Sequence, residues 1–249
     1  MCGRFSNDAS PETLARRFGL GASPAVMLSH NQPPSWNIAP SQMIRCITRE
    51  NTTPKLATMR WGYLPRTGAR LLINARSETV MEKPSFRRVV RHQRCLVIAT
   101  GWYEWAAPRK PYYFYPKDGA PMGFAGIFWH VEAVEGKTDE IKDQQAALPS
   151  CVILTTAADA GLAEIHHRCP LVVPPEAYSA WNDPTISTER LQAMLQPPLA
   201  ADFCFHPVDA AVGSPQQDHA GLISPIENGV SAQQASAKPA TSAQLSLFS

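Results

Sequence analysis

Removal of the initiator methionine would leave Cys2 with a free α-amine beside its thiol, a pair of nucleophiles on one residue. An α-amine titrates at about 7.7 to 8.0, so roughly a quarter to a third is unprotonated at pH 7.4, against about 0.1% of a lysine amine with a pKa of about 10.4. Such an amine is suited to attack an aldehyde. The imine formed lies one short step from the thiol, and sulfur addition closes a five-membered thiazolidine that neither an internal cysteine nor a lysine can make. Taken alone, Cys2 reads better as a small residue tucked into a strand.

Further chemistry-bearing segments follow in a fixed order: Met1-Cys2-Gly3-Arg4-Phe5, Trp36-Asn37-Ile38-Ala39-Pro40, Arg60-Trp61-Gly62, Asn74-Ala75-Arg76-Ser77-Glu78-Thr79, Gly101-Trp102-Tyr103-Glu104-Trp105 and Ile165-His166-His167-Arg168. Together they resemble the SRAP family, the SOS response-associated peptidase-like proteins that process abasic sites, from residue 2 to about residue 225. The resemblance implies an α+β domain around a barrel-like sheet. It also implies that the chain binds single-stranded DNA and crosslinks to the ring-opened abasic sugar, shielding the lesion during replication and the SOS response, with lyase-like and self-trimming activities beside it. A thiol peptidase using Cys2 with His166 and Glu104, and a DNA-binding module without chemistry, are the two competing readings.

What the resemblance implies for single residues can be set beside what each residue type does. Cys2 matches the nucleophile. Asn74 matches an active-site amide that can hydrogen-bond a sugar hydroxyl or the nascent ring. Glu104, among Trp102, Tyr103 and Trp105, matches an acid whose surroundings would raise its pKa toward a proton-transfer role, and His166 matches a proton shuttle. Arg76 and Arg168 match DNA-backbone contacts, a task suited to the guanidinium fork. Arg4 and Ser77 are further DNA-contact candidates. Trp61 is either a stacking platform for an unpaired base or a core tryptophan. This chain departs from the family at His167 and Cys169, and its segment 65–70 lacks the tryptophan that many relatives carry there. His167 leaves the assignment between the two histidines open. Reading His166, His167 and Cys169 as metal ligands is disfavoured, because adjacent side chains diverge and no fourth ligand is evident; no cofactor is expected.

The elements that must hold these groups are mostly strands. β-Branched and aromatic runs predict strands at 43–48, 95–100, 112–115, 123–131 and 151–156. Ser10 before Pro11 predicts a capped helix start, with Leu14 and Phe18 on one face and an end near Gly19. Further helices are predicted at 85–92, 159–166, 175–181 and 187–195. Several strands follow one another without intervening helices, which predicts an α+β single domain with a curved, mostly antiparallel, partly closed barrel-like sheet flanked by helices, not a doubly wound sheet.

The 249 residues are 44% hydrophobic, enough for one substantial core. The six cysteines are scattered without a C-x-x-C pair, which argues for reduced thiols and against a disulfide framework. No signal peptide or membrane-spanning run is apparent, so a cytoplasmic protein, nucleoid-associated when on DNA, is expected. The net charge of +2 hides an asymmetry: residues 1–117 carry +12 and residues 118–249 carry −10. Most cations of the first part are arginines, which favours a polyanionic partner.

From residue 227 to 249 the composition turns to Ser, Ala, Gln and Pro, predicting a disordered tail after a domain spanning 1–226. At its end Gln244-Leu245-Ser246-Leu247-Phe248 restores large apolar side chains. The pattern resembles the pentapeptide by which bacterial DNA-metabolic proteins bind the replicative sliding clamp, with Gln244, Leu245, Leu247 and Phe248 as the contacts.

Overall fold

The regular structure consists of short strands with short helices between them. In order they are β1 (Arg4–Asn7), α1 (Pro11–Phe18), β2 (Ser35–Ile38), β3 (Met43–Glu50), β4 (Thr53–Trp61), β5 (Asn74–Arg76), α2 (Pro84–Arg87), α3 (Val89–His92), β6 (Arg94–Ala99), β7 (Gly101–Ala106), β8 (Lys110–Pro116), β9 (Met122–Trp129), β10 (Ser150–Ala157), α4 (Ala160–Ala163), β11 (Arg168–Pro170), β12 (Val172–Val173), α5 (Tyr178–Trp181), α6 (Thr188–Ala193), β13 (Phe203–Pro207) and β14 (Gln233–Gln234). The structure is a computed structural model that describes residues 2–21, 32–65, 70–130, 149–196, 202–226 and 233–234. The segment 244–248 therefore lies outside the described residues, as does Met1.

Two sheets form. One has the order β14-β13-β8-β7-β1-β2 and is antiparallel throughout. The other runs β11-β10-β4-β3-β6-β9-β12, with β5 added to β10 and a further β10–β9 pairing. That last pairing closes a ring of hydrogen-bonded strands, β10-β4-β3-β6-β9, so none of these five is an open edge. Only β10–β4 and β10–β5 are parallel; the expectation of an α+β domain with a curved, mostly antiparallel, partly closed sheet holds.

Side chains alternate in direction along a strand, and in the ring both directions are apolar. Cys95, Val97 and Ala99 of β6 enter one core, while Leu96 and Ile98 enter another. Cys151 and Ile153 of β10 separate from Val152 and Leu154 in the same manner. The first core joins the two sheets: Phe5 meets Trp61 edge-on at 5.1 Å, and Trp102 stacks on Phe114 at 5.0 Å. The second core is roofed by helices through Leu14 and Phe18 of α1, Phe86 of α2, Val90 of α3, Trp181 of α5 and Leu191 of α6.

Local signals set several ends. Ser10 accepts from the Thr13 amide, and Gly19 closes α1 with φ of 65°, as its lack of a Cβ allows. Elsewhere the structure shortens what periodicity predicts. The helix expected at 85–92 is broken into α2 and α3. The one expected at 159–166 ends at Ala163, because the chain must turn into β11 to pair Arg168 with Ala157. Residues 175–177 form a 3-10 turn leading into α5. β1, β2, β4, β5, β7 and β11 to β14 are not among the strands that the sequence predicts, and β14 falls within the stretch expected to be a tail.

Gly101 marks a close approach at the start of β7. A Cβ there would sit 2.2 Å from Cζ of Tyr113, whose hydroxyl is tied to Ser6 at 2.9 Å. Gly101→Ala is expected to destabilise the domain by about 1–3 kcal/mol through overpacking. A urea midpoint unchanged from the wild type would contradict this packing.

Candidate active site

Four chain segments that are distant in sequence converge where β1 begins. β1 pairs with β7, Arg4 opposite Tyr103 and Phe5 opposite Trp102. On β7, Trp102 and Glu104 project to the same side because they are two residues apart. That side faces the main core, which leaves Glu104 only 3% exposed. β5 and β11 reach the same place by flanking the end of β10: Asn74 aligns with Ile153, Arg76 with Thr155, and Arg168 with Ala157.

Cys2 is fully buried, its thiol 3.8 Å from the Arg4 carbonyl oxygen. Asn74 donates from Nδ2 to the Cys2 carbonyl at 2.8 Å, pinning the backbone of the residue that carries the thiol. Its Oδ1 is buried with no hydrogen-bond partner among the described residues. A buried, unsatisfied amide oxygen costs free energy unless a ligand supplies a donor. The thiol is pushed well above its usual range, first by burial and then by the nearby negative charge of Glu104.

Burial also raises the Glu104 carboxyl, to about 7, so near neutral pH it can both give and take a proton. His166 Nδ1 lies 3.6 Å from Glu104 Oε2, and the imidazole is the more open of the two, with 21% of its side chain exposed against 4%. The Arg168 amide also approaches the same ring nitrogen at 3.1 Å. Partial burial lowers the His166 pKa, favouring neutral imidazole. The arrangement therefore runs outward from a buried thiol, through a carboxyl titrating near neutrality, to an imidazole at the surface. His167 is exposed, its ring 4.4 Å from that of His166.

The DNA-contact candidates separate sharply. Arg76 is exposed and lies beside Asn74 on β5. Trp61 has no exposed ring face: it is fully buried, donates from Nε1 to the Ile73 carbonyl at 3.0 Å and packs on Phe5. It holds the approach to Asn74 from within the core, so base stacking on it is excluded by geometry. Arg4 is a structural clamp, donating to Asn37 Oδ1 at 2.7 Å and to the carbonyls of Val212 and Gly213. Ser77 is buried, with its amide bonded to the Thr155 carbonyl at 2.8 Å. Arg168 is engaged as a fork on the Glu78 carboxylate and also donates to Thr155.

Sequence reasoning missed Glu78 as a working residue, although it lies inside the Asn74–Thr79 segment. Besides Arg168, its carboxylate accepts from the Ala157 amide at 3.1 Å, locking β5, β10 and β11 together. Arg168 holds its pKa down. Cys169 is buried close to the same centre, with burial and then Glu104 raising its thiol to about 12. Among the described residues no group of three His, Cys, Asp or Glu is arranged to hold a metal, and no helix is long and apolar enough to cross a membrane.

Comparison with known proteins gives the same picture at the level of the whole chain. A family model described as SOS response associated peptidase (SRAP) matches residues 1–215. The abasic site processing protein YoqW of Bacillus subtilis is 30% identical over 234 residues, covering 90% of this chain and 99% of that protein. The abasic site processing protein YedK of Escherichia coli is 30% identical over 232 residues, covering 91% and 100%. Among solved structures, a protein from Bacteroides thetaiotaomicron superposes with a TM-score of 0.74 at 22% identity, covering 90% of this chain and 100% of that one. A phage-related protein from Bordetella bronchiseptica gives 0.67 at 28% identity, covering 83% and 94%.

The displaced carboxyl has a consequence for stability. Glu104 titrates at 4.5 when unperturbed and at about 7 in the fold, so between these values the native state holds the extra proton. Stability contributed by the neutral form is therefore present below about pH 4.5 and lost as pH rises through 7. Glu104→Gln is expected to stabilise the domain by on the order of 2–3 kcal/mol at pH 8 and by little at pH 5. Denaturation at both pH values checks this; an equal gap at each would refute the buried, raised carboxyl.

Proposed function

Because this chain belongs to the SOS response associated peptidase (SRAP) family, we propose that it is an abasic site processing protein that captures the ring-opened abasic sugar of single-stranded DNA through the amine and thiol of Cys2. What supports the reading above all is the convergence of a buried Cys2 thiol, an amide bound to the Cys2 backbone, and a carboxyl at about 7 linked to an imidazole.

Once Met1 is removed, the Cys2 amine adds to the C1′ aldehyde of the opened sugar, and the resulting carbinolamine loses water to give an imine. Protonated Glu104 supplies the proton that leaves with that water. The carboxylate so formed then takes the thiol proton as sulfur bonds to the carbon of the protonated imine, whose own N–H hydrogen remains on the ring nitrogen. One water is released overall, and no oxidant or reductant is needed. The raised thiol fits this order of events, because sulfur attacks second and with a base at hand. It weighs against the thiol peptidase reading, in which a thiolate must form first. Asn74 holds the Cys2 carbonyl still while the bonds change, and its free Oδ1 suits a hydroxyl of the sugar. His166 relays protons between Glu104 and solvent or the sugar.

Candidates for the DNA track are the exposed cations Arg76 on β5 and Lys83, Arg87, Arg88 and Arg91 on and around α2 and α3. Arg45 and Arg94 belong to the basic half of the chain but are buried, so they are not available to phosphate. Arg94 instead donates to the carbonyls of Trp181 and Val90. The Arg168–Glu78 fork makes Arg168 available to phosphate only if that pair opens. The Gln244-Leu245-Ser246-Leu247-Phe248 segment supports recruitment to a replicative sliding clamp, a tether raising the local concentration of the domain at the fork.

Intact-mass measurement of the adduct with abasic single-stranded DNA is expected to give the sum of both components less one water, with Met1 absent. Cys2→Ala keeps the amine and should yield only an adduct that needs borohydride to survive heating. A heat-stable adduct from Cys2→Ala, or from a chain whose N-terminus carries an uncleaved tag, would overturn the thiazolidine. For the track, replacing Arg87, Arg88 and Arg91 together by Gln should lower the slope of log affinity against log salt for intact single strands by about 2, at about 0.7 per phosphate contact. An unchanged slope places the strand elsewhere.

A further inference from the structure

A cavity of about 780 Å³ lies away from Cys2 at the junction of β8, β9, β12, β13 and α6. It falls within the size range of small-molecule and peptide pockets. Its walls are mainly apolar, including Met122, Val172, Val173, Tyr178, Met194 and Phe203, and none of the proposed catalytic groups enters it. The chemistry above gives it no task.

The course of the chain points to an occupant. β14 pairs antiparallel with β13, Gln233 opposite Phe205 and Gln234 opposite Cys204. Antiparallel pairing sets the C-terminal end of β14 at the Phe203 end of β13, and Phe203 and Asp202 both line the cavity. Residues 235–243 separate Gln234 from Gln244. At up to about 3.3 Å per residue they can span roughly 30 Å. They contain no large apolar side chain, whereas Leu245, Leu247 and Phe248 supply three in close succession.

We propose that Gln244–Phe248 docks in this cavity of its own domain, seating Leu245, Leu247 and Phe248 against the β12, β13 and α6 walls. Tethering sets an effective concentration of about 1 mM for such a short linker, so a segment whose isolated affinity is about 0.1 mM is bound about 10-fold over free. A partner that needs the same three side chains must compete with the cavity, and the segment is withheld until that partner is present. The inference is independent of the Cys2 chemistry, which can fail without affecting it.

Hydrogen exchange on the full-length chain tests the docking. With Leu247 and Phe248 both replaced by Asp, amides of Val172, Val173 and Met194 should exchange about 10-fold faster than in the wild type, while those of β5 are unchanged. Ala193 is exposed on the cavity rim, so Ala193→Arg should leave the fold intact and block entry. That variant should expose residues 235–249 to protease in the otherwise intact chain. Unchanged exchange at the cavity walls in the Asp variant overturns the proposal. So does wall protection that grows with protein concentration, because the segment would then be entering a second copy.

Discussion

Strand β10 exchanges backbone hydrogen bonds with β4, β5, β9 and β11, and the site exists because of that pairing. Its β9 and β4 pairings close the strand ring. Beyond the ring, the same strand carries β5 and β11, the two short segments that deliver Asn74, Arg76, His166 and Arg168. Three-residue strands cannot hold position by their own hydrogen bonds. They are fixed by the carboxylate of Glu78, which ties Arg168 to the Ala157 amide, and by Trp61, whose indole holds the Ile73 carbonyl just ahead of Asn74. The first core, packed with aromatic rings, supplies the rigidity behind β1 and β7.

From that rigidity comes the electrostatics. A carboxyl placed on the inward side of β7 cannot be solvated, and its neutral form gains relative to its charged form. The same burial acts on the Cys2 thiol in the same direction, so both acids hold their protons more tightly than they would in water. Glu104 is displaced to about 7, where exchange is easy, and the thiol is displaced beyond the range where a free thiolate is populated. In the proposed reaction the carboxyl would therefore be the group that moves protons and the thiol the group that waits for one to be removed. His166, partly open and held neutral, joins the buried carboxyl to the surface.

The strands of the ring were legible where both faces are buried, because long β-branched and aromatic runs such as Cys95–Ala99 and Cys151–Thr155 leave few alternatives. β5 was not: Asn-Ala-Arg has no strand signal, and it is extended only because β10 offers it a partner. Cys2, Asn74, Glu104 and His166 were singled out from six ordered segments, and the structure brings them together. The roles of Arg4, Trp61, Ser77 and Arg168 were harder to read. An arginine's type says that it can grip an oxygen but not whether that oxygen belongs to phosphate, to a backbone carbonyl as for Arg4, or to a carboxylate as for Arg168. Trp61 illustrates the same limit for aromatics, since stacking on a base and packing on Phe5 require the same ring. Burial separates these cases, and burial depends on contacts remote in sequence.

A covalent trap of the proposed kind, built on an N-terminal residue, would face a geometric conflict. The amine must reach a DNA sugar from outside, yet the thiol on the same residue is most useful where water is excluded and a base is fixed nearby. Entering β1 along β7 reconciles the two: the register that sets Arg4 opposite Tyr103 brings the start of the chain up to Glu104, and Asn74 stops the backbone there at the Cys2 carbonyl. Asn74 grips the Cys2 backbone and not its side chain, so the thiol is not tied up by that contact. Its grip also leaves one amide oxygen buried and unsatisfied, a cost that a bound sugar hydroxyl would relieve. In the proposed reaction, binding and positioning would thus be coupled through a single side chain, and loss of its amide would weaken both together.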